Sequence, residues 1–594
     1  VLASGSVFNF GCLSQAELAT TLQKDTETAR IIRAVNDLAI THRDEIDQRF
    51  PKIQRRVAGY NLDELGLRNG FNLAGLLVGS EGTLAINTEA RVQLVRKPKH
   101  AVLGVCHFKT FSDSMHASAS IVTLEPSAIE LSDKLLIDLA RESPLHRDKL
   151  HFVHGNPEAL LIVEFAGEEL SQLNKKLDTL SVLMRDLGFG DNVVRVTEPV
   201  RCAEVWAVRK AGLGLLGSVR GGAKPVAFVE DTAVAPEQLP EFTAAFREVL
   251  DRYGVRAAFY GHASVGCLHV RPMLDLRKAE DVGKYRAIAE EVTELTMKFG
   301  GTHSGEHGEG LARSEFNPKV FGETLYAAFR EVKAAFDPHG RMNPGKKVDA
   351  PPMDENLRYG AAYTTTFPVP ILDYAEFGGM DSAIEMCNGN ARCRKSEVGT
   401  MCPSYMVTLD EMHSTRGRAN ALRAAISGGL PTESLYSDEM HEVMELCIGC
   451  KACKLECPSQ VDMAKHKYEF QVQYHARTGV PLRTLALGHA HAMAAIGSAL
   501  APLSNLGQWG PLRWLTNTVL GLDSRRSLPR FRRDTFWRWW QQQSVTTQAH
   551  SAKTVVLLAD TFTNYYEPAV AIDAVRVLEA AGYTVVVPKP TCCG

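Results

Sequence analysis

An α+β multidomain fold is predicted from three observations. Between residues 101 and 350, strand-like runs alternate with amphipathic helices. Residues 371 to about 480 hold a group of cysteines among helical segments. Lys553 to Pro588 opens a separate α/β unit. A length of 594 residues leaves room for roughly three to five domains. Hydrophobic content of 45% and charged content of 23% are those of soluble globular protein. A net charge of −3 gives no electrostatic case for a nucleic-acid partner.

Residues 1 to 100 mix helical stretches with a strand-like segment, Leu84-Ala-Ile-Asn-Thr. From 101 to 350 come strands at Ala159–Phe165 and Pro225–Val229, and a helix from Leu239 to Tyr253. A proline-bearing linker, residues 351–370, includes Pro351-Pro352 and Pro368-Val-Pro370. The cysteine-bearing helical region spans 371–480. Residues 481–548 begin with a low-charge stretch, Leu485 to Leu503, and continue into a basic aromatic one, Arg525 to Trp540. The latter suits a membrane-surface helix, or a connector packed over the cysteine domain with arginine stems covering its aromatics; the connector is the preferred reading. From 549 to 594 the order is strand (Thr554–Leu558), helix (Pro568–Ala581), Gly582 turn and strand (Thr584–Val587).

Neither a signal peptide nor a run of ~18 apolar residues is present, so a spanning helix is not expected. Of the 13 cysteines, seven lie between Cys387 and Cys457, and Cys592-Cys593 form a terminal pair. Such clustering fits a reducing cytoplasm better than a disulfide framework. A peripheral contact at the inner membrane is the alternative location. Val1 begins in mid-pattern and Gly594 directly follows the terminal pair, so the chain is expected to be a fragment.

Cys447-Ile-Gly-Cys450-Lys-Ala-Cys453-Lys-Leu-Glu-Cys457-Pro458 has the spacing of a bacterial ferredoxin run. Short gaps let one loop aim three thiolates at three corners of a [4Fe–4S] cube. A structural zinc site normally uses separated pairs of ligands instead. Upstream, Cys387-Asn-Gly-Asn390-Ala-Arg-Cys393 and Cys402-Pro403 form a second run with two departures: Asn390 stands where a second cysteine belongs, and the following loop is longer. In two-cluster ferredoxins the Cys-Pro cysteine of each run serves the other cluster. Cys402 would then join Cys447, Cys450 and Cys453, leaving Cys387, Cys393 and Cys457 one thiolate short. The shorter set could hold a cluster with another ligand, a three-iron cluster, or nothing.

Gly261-His262-Ala-Ser-Val-Gly266-Cys-Leu-His269 and Gly305-Glu306-His307-Gly308 carry a second signal. On an uninterrupted strand His262 and His269 would face opposite sides. Gly266 can supply the turn that brings them together. With Glu306 they form a two-histidine, one-carboxylate set suited to Zn²⁺ or a similar ion with an open position, leaving His307 free as a base. Gly212-Leu-Gly214-Leu-Leu-Gly217 matches the dinucleotide fingerprint, but Glu204 to Lys210 before it is helical rather than a strand, so nucleotide binding is not expected there.

Leu77-Val-Gly79-Ser80-Glu81-Gly82-Thr83-Leu84 resembles the flavin-contact segment of the vanillyl-alcohol-oxidase/D-lactate-dehydrogenase flavoproteins. Arg56-Val-Ala-Gly59-Tyr60 resembles the segment before it, and Gly-His…His, Gly-Glu-His-Gly, Asp337-Pro338 and Asn343-Pro-Gly-Lys346 are similar to their C-terminal half. Cys447–Cys457 and Thr591–Gly594 resemble the iron–sulfur subunits of glycolate oxidase and anaerobic glycerol-3-phosphate dehydrogenase. One chain with both halves is similar to the large bacterial flavin/iron–sulfur D-2-hydroxyglutarate dehydrogenases, often labelled D-lactate dehydrogenase-like.

That resemblance implies the C-terminal half of a PCMH-type FAD domain, a ferredoxin-like α+β substrate domain, an all-α iron–sulfur domain and the start of an α/β cysteine-rich domain. It implies FAD-dependent oxidation of a D-2-hydroxy acid, best D-2-hydroxyglutarate, with D-lactate, glycolate, or a non-catalytic electron-transfer subunit as alternatives. His262, His269 and Glu306 become Zn²⁺ ligands, His307 the base, and Arg209 and Lys224 substrate contacts. Tyr60, Gly79, Ser80, Glu81, Gly82, Thr83 and Asn343 would lie near FAD. The implied partners are a small 2-hydroxy acid, an electron acceptor (quinone, flavoprotein or cytochrome) and a second copy of the chain.

Overall fold

In the computed structural model the chain is described for residues 1–592 except 67–69, 509, 522, 524, 526 and 544–552. Two compact units are formed, Val1–Glu469 and Phe470–Gly594. Among the described residues no helix is long and apolar enough to cross a membrane.

The centre of the first unit is an eight-stranded sheet. Its strands are β1 (His100–Phe108), β2 (Ala128–Asp133), β3 (Ala159–Gly167), β4 (Val193–Val196), β5 (Lys224–Pro225), β6 (Thr232–Ala233), β7 (Ala257–His262) and β8 (Cys267–Leu274). They lie in the order β4-β1-β3-β2-β7-β8-β5, with β6 also paired to β8 and every pairing antiparallel. β3 is apolar almost throughout because helices cover both of its faces. Leu161, Val163 and Phe165 join one core with Leu173, Leu177 and Leu180 of the helix Leu170–Asp186. Leu160 and Ile162 face the other way, against Leu103, Ile137, Phe152 and Val205. Each such fully buried side chain contributes roughly 1.5–3 kcal/mol.

A second core joins the two ends of the flavin-oxidase-like region. Ile31, Ile32 and Val35 of the helix Glu27–Thr41 pack with Leu325, Phe329 and Val332 of the helix Asn317–Phe336. The chain therefore returns after the sheet to close on its own first segment.

Two sequence expectations are corrected. Leu84 to Thr88 is irregular: Leu84 and Ala85 are buried, and Ile86 exchanges backbone bonds with Val1 alone, too few for a ladder. Of the run Pro225–Val229 only Pro225 is in a strand, because Phe228 and Val229 turn into the core. In the second unit the basic aromatic segment packs on the terminal α/β element. Phe536, in the helix Phe536–Gln542, is fully buried with Val575 of the helix Pro568–Ala580 and Val585 of the strand Thr584–Val586. Arg525 and Arg532 pair with Asp523 and Asp534. Cys593 and Gly594 lie outside the described residues.

Candidate functional site

Hairpin geometry brings the two histidines together. β7 ends at His262, and a short turn leads to Gly266 in the left-handed region (φ +68), where β8 begins. A Cβ at Gly266 would lie 1.8 Å from the Val234 carbonyl oxygen, so only glycine fits. The hairpin register sets Cys267 opposite His262 and His269 opposite Tyr260. On the other side of β7, Glu130 of β2 is the direct cross-strand partner of His262. Its carboxylate lies 2.8 Å from His262 Nδ1, so His262 Nε2 is turned toward Glu306, 3.2 Å away. His269 Nε2 and His307 Nε2 each lie 3.5 Å from the same Glu306 oxygen. The rings of His269 and His307 stack at 4.7 Å between centroids.

The loop that carries Glu306 is held by one buried carboxylate. Asp231 accepts the backbone N–H of Glu306 (3.0 Å) and of His307 (2.9 Å) and the Ser304 hydroxyl (2.9 Å). Glu230 accepts from His307 Nδ1 at 3.1 Å and pairs with Arg271 at 2.7 Å. Ligand atoms of Asp231, Cys267, His269 and Glu306 converge, as do those of Glu230, His269 and His307. His262 stands beside these sets through Glu306.

Electrostatics follow the contacts. Hydrogen bonds to Glu130 and Glu306 raise His262 to about 9. Glu306 is pulled far below the ordinary carboxylate value by His262 and His269. Burial lowers His269 and favours the neutral imidazole that a metal requires. Burial would raise Glu230, but the His307 bond and the Arg271 charge outweigh it and bring it to about 2. The Glu230 bond in turn raises His307.

Arg209, in the helix Pro199–Lys210, reaches the site through Glu130 at 2.7 Å. Its buried Nε has no hydrogen-bond partner. Lys224 is not joined to the histidines: its ammonium donates to the Val219 carbonyl (2.7 Å) and touches Met386 Sδ (3.3 Å). Burial lowers it to about 8.

The segment Gly79–Thr83 is tied to the far end of the flavin-oxidase-like region. Glu81 accepts the N–H groups of Glu309 (2.8 Å) and Gly310 (3.0 Å), and Asn343 donates to the Glu81 carbonyl (2.6 Å). Tyr60 is buried with its hydroxyl 2.7 Å from Thr83 Oγ1, and Ser80 is buried beside it. Gly79 and Gly82 both take positive φ.

The cysteines divide between two cavities. Cys402, Cys447, Cys450 and Cys453 line one, and Cys387, Cys393 and Cys457 line the other. The crossing of the Cys-Pro cysteines expected from the spacing is thus present. Arg418 tests whether the four-cysteine cavity suits an anionic cluster. It is fully buried and bonds to carbonyls of His413 (2.6 Å) and Val443 (2.8 Å), the Ser404 hydroxyl (3.1 Å) and Cys402 Sγ (3.6 Å). None of these is a carboxylate, so this buried cation calls for negative charge from the thiolates. Burial would raise Cys402, yet hydrogen bonds from Ser404 and the Tyr405 N–H, with the Arg418 charge, hold it below the ordinary thiol value. The site fits an iron–sulfur cluster.

The Gly212–Gly217 run is a packing face. It forms the helix Gly212–Leu216, where a Cβ on Gly214 would lie 2.4 Å from Pro458 Cβ. One on Gly217 would lie 2.5 Å from Asn388 Nδ2. The glycines let this helix approach the cysteine segments. Glu130, Glu230, Asp231, Arg271 and Arg418 were not anticipated as site residues. Their only local signal is the acidic pair Glu230-Asp231 closing an apolar run.

Residues 97–347 match the family described as FAD linked oxidases, C-terminal domain, and residues 383–461 match the 4Fe-4S dicluster domain. Over 98% of its length the chain is similar to the D-2-hydroxyglutarate dehydrogenase of Escherichia coli (strain K12), at 31% identity and covering 62% of that protein. The enzyme of the same name from Pseudomonas putida is 30% identical over 96% of this chain and 61% of its own. Glycolate oxidase subunit GlcD of E. coli is 27% identical over 52% of this chain and 60% of its own. The chain thus spans about three fifths of the curated relatives it matches. The resemblance drawn from the motifs extends over nearly the whole chain, and the two matched domains support FAD and iron–sulfur as cofactors.

Proposed function

We propose that this chain forms the greater part of a flavin- and iron–sulfur-dependent dehydrogenase. It would oxidise a D-2-hydroxy acid, D-2-hydroxyglutarate to 2-oxoglutarate in the favoured reading, and deliver electrons to an external acceptor. Similarity to the D-2-hydroxyglutarate dehydrogenases over 98% of the chain supports the substrate class. One observation carries the chemistry: His262, His269 and His307 converge on a single oxygen of Glu306, within 3.5 Å, with Arg209 joined to the group through Glu130.

His262, His269 and Glu306 would hold a divalent metal, Zn²⁺ in the reading the resemblance implies. Bound metal would act as a Lewis acid on the substrate hydroxyl, and bound FAD would take the C2 hydrogen as hydride. Glu130 fixes the His262 ring so that Nε2 faces Glu306, the role outer carboxylates play at histidine ligands. Glu230 holds His307 Nδ1, leaving Nε2 to accept the hydroxyl proton. Arg209 offers its Nε to the substrate carboxylate. Lys224, among neutral partners, would add a second contact only after its side chain turns. Tyr60, Gly79–Thr83 and Asn343 would shape the flavin side. Cytoplasmic location, peripheral membrane contact and self-association belong to the same proposal.

A substrate panel tests it. Full-length holoenzyme is mixed anaerobically with D-2-hydroxyglutarate, D-lactate and glycolate, and flavin absorbance is followed. Fastest bleaching by D-2-hydroxyglutarate is expected. Preference for D-lactate or glycolate would move the substrate assignment, and no bleaching with any of them would favour a non-catalytic electron-transfer chain.

A further inference from the structure

We propose that Cys387, Cys393 and Cys457 hold a three-iron [3Fe–4S] centre, separate from the four-cysteine cluster, with its iron-free corner beside Asn390. The argument rests on the cysteine geometry and does not depend on the substrate.

Cys457 is four residues from Cys453 in sequence, yet the two thiols line different cavities. Cys457 faces Cys387 and Cys393, and Cys393 Sγ accepts the Arg416 backbone N–H at 3.3 Å, a donor suited to a bound thiolate. Three thiolates are therefore directed into one space. A cubane with four irons needs a ligand at each corner. The residue at the fourth position, Asn390, is already engaged. Its Oδ1 accepts the Arg392 N–H at 2.9 Å, and its Nδ2 donates to Asn388 Oδ1 at 2.7 Å and lies 3.4 Å from Ser459 Oγ. An amide is also a poor match for iron in a sulfide cluster, which favours soft thiolates. The other polar residues lining the space are Thr415, Arg416 and Ser459, two hydroxyls and a cation. None supplies a thiolate, imidazole or carboxylate. A cluster that lacks one iron needs three protein ligands, and the three cysteines supply them.

The centre borders the substrate domain. Asn388 and Ser459 are the atoms that a Cβ on Gly217 would strike, at 2.5 and 2.7 Å.

Iron and sulfide analysis with low-temperature EPR on anaerobically purified full-length protein tests the proposal. Expected are about seven irons per chain, four in one cluster and three in the other, with the paramagnetic signal of an oxidised three-iron centre. Asn390→Cys should remove that signal and add about one iron, while Cys393→Ser should lose about three irons and keep the reduced four-iron signal. About four irons, unchanged in Cys393→Ser, would mean that the site binds nothing and would overturn the proposal. About eight irons without the oxidised signal would overturn it in favour of a four-iron cluster completed by solvent. The iron count and the signal are read without substrate, so a failed substrate panel would leave them standing.

Discussion

The histidine–glutamate site and the four-cysteine cavity both gather acidic groups, and they balance the charge by different means. Around Glu306 the balance is mutual. Carboxylates of Glu130, Glu230 and Glu306 alternate with His262, His307, Arg209 and Arg271 at 2.7 to 3.2 Å. Several buried atoms of the network have no hydrogen-bond partner, among them Glu130 Oε2, Glu230 Oε2 and Arg209 Nε. The cysteine cavity instead has a fully buried Arg418 whose partners are neutral oxygens and a thiol. A buried charge without a carboxylate is costly, so the cysteine half calls for a bound anion, whereas the histidine half pairs its charges among its own side chains. Five chain segments meet at the first site. The second takes three of its four ligands from one loop.

The largest effect should separate the two halves. His307→Ala removes the proposed base, and substrate-driven flavin reduction should fall ~10²–10⁴-fold while iron content stays unchanged. Near-normal reduction would end its assignment. Arg418→Met is the reciprocal change. It leaves the Val443 carbonyl without its donor, at ~1–3 kcal/mol, leaves the His413 carbonyl to the Ser404 hydroxyl, and removes the positive charge at Cys402. A lower melting temperature and a more negative potential of the four-cysteine cluster are expected, with substrate affinity intact; an unchanged potential would show that Arg418 is only structural.

Glu130→Gln should have a smaller effect, because the ligand itself remains. Loss of an outer carboxylate typically lowers metal affinity ~10–100-fold. Since Glu130 also holds Arg209, KM should rise with it, and a change in metal affinity alone would uncouple the two roles. The smallest effect belongs to Ser414→Ala. Its hydroxyl caps the helix Thr415–Ile426, which carries Arg416 and Arg418, by accepting the Gly417 N–H at 2.9 Å. About 1 kcal/mol of stability should be lost, read as a lower melting temperature with the EPR spectrum retained.

Legibility differed between the regions for a physical reason. The ferredoxin run is local: its spacing of two, two and three residues sets the reach of one loop, so Cys447, Cys450 and Cys453 stand out from sequence alone. The glycine-framed His262, His269, Glu306 and His307 stand out for a similar reason, since Gly266 and Gly305 are needed for close backbone approach. Glu130, Glu230, Asp231 and Arg418 did not. Each is an ordinary charged residue whose role comes from what the fold places opposite it. Strand assignments failed at Leu84–Thr88 and beyond Pro225 because apolar runs bury equally well without a ladder partner.

By itself, the sequence determined the types of chemistry: thiolates at cluster spacing, imidazoles and a carboxylate framed by glycine, and flavin-oxidase motifs upstream. Short-range backbone geometry encodes these, and it survives without knowledge of the fold. Only the tertiary structure decided the partners. Strand register placed Glu130 against His262, the return of the helix Asn317–Phe336 closed the N-terminal core, and the fold of residues 387–457 sent Cys402 and Cys457 to opposite cavities. Those pairings join residues distant in the chain, and their energy comes from burial and charge that exist only once the chain is folded.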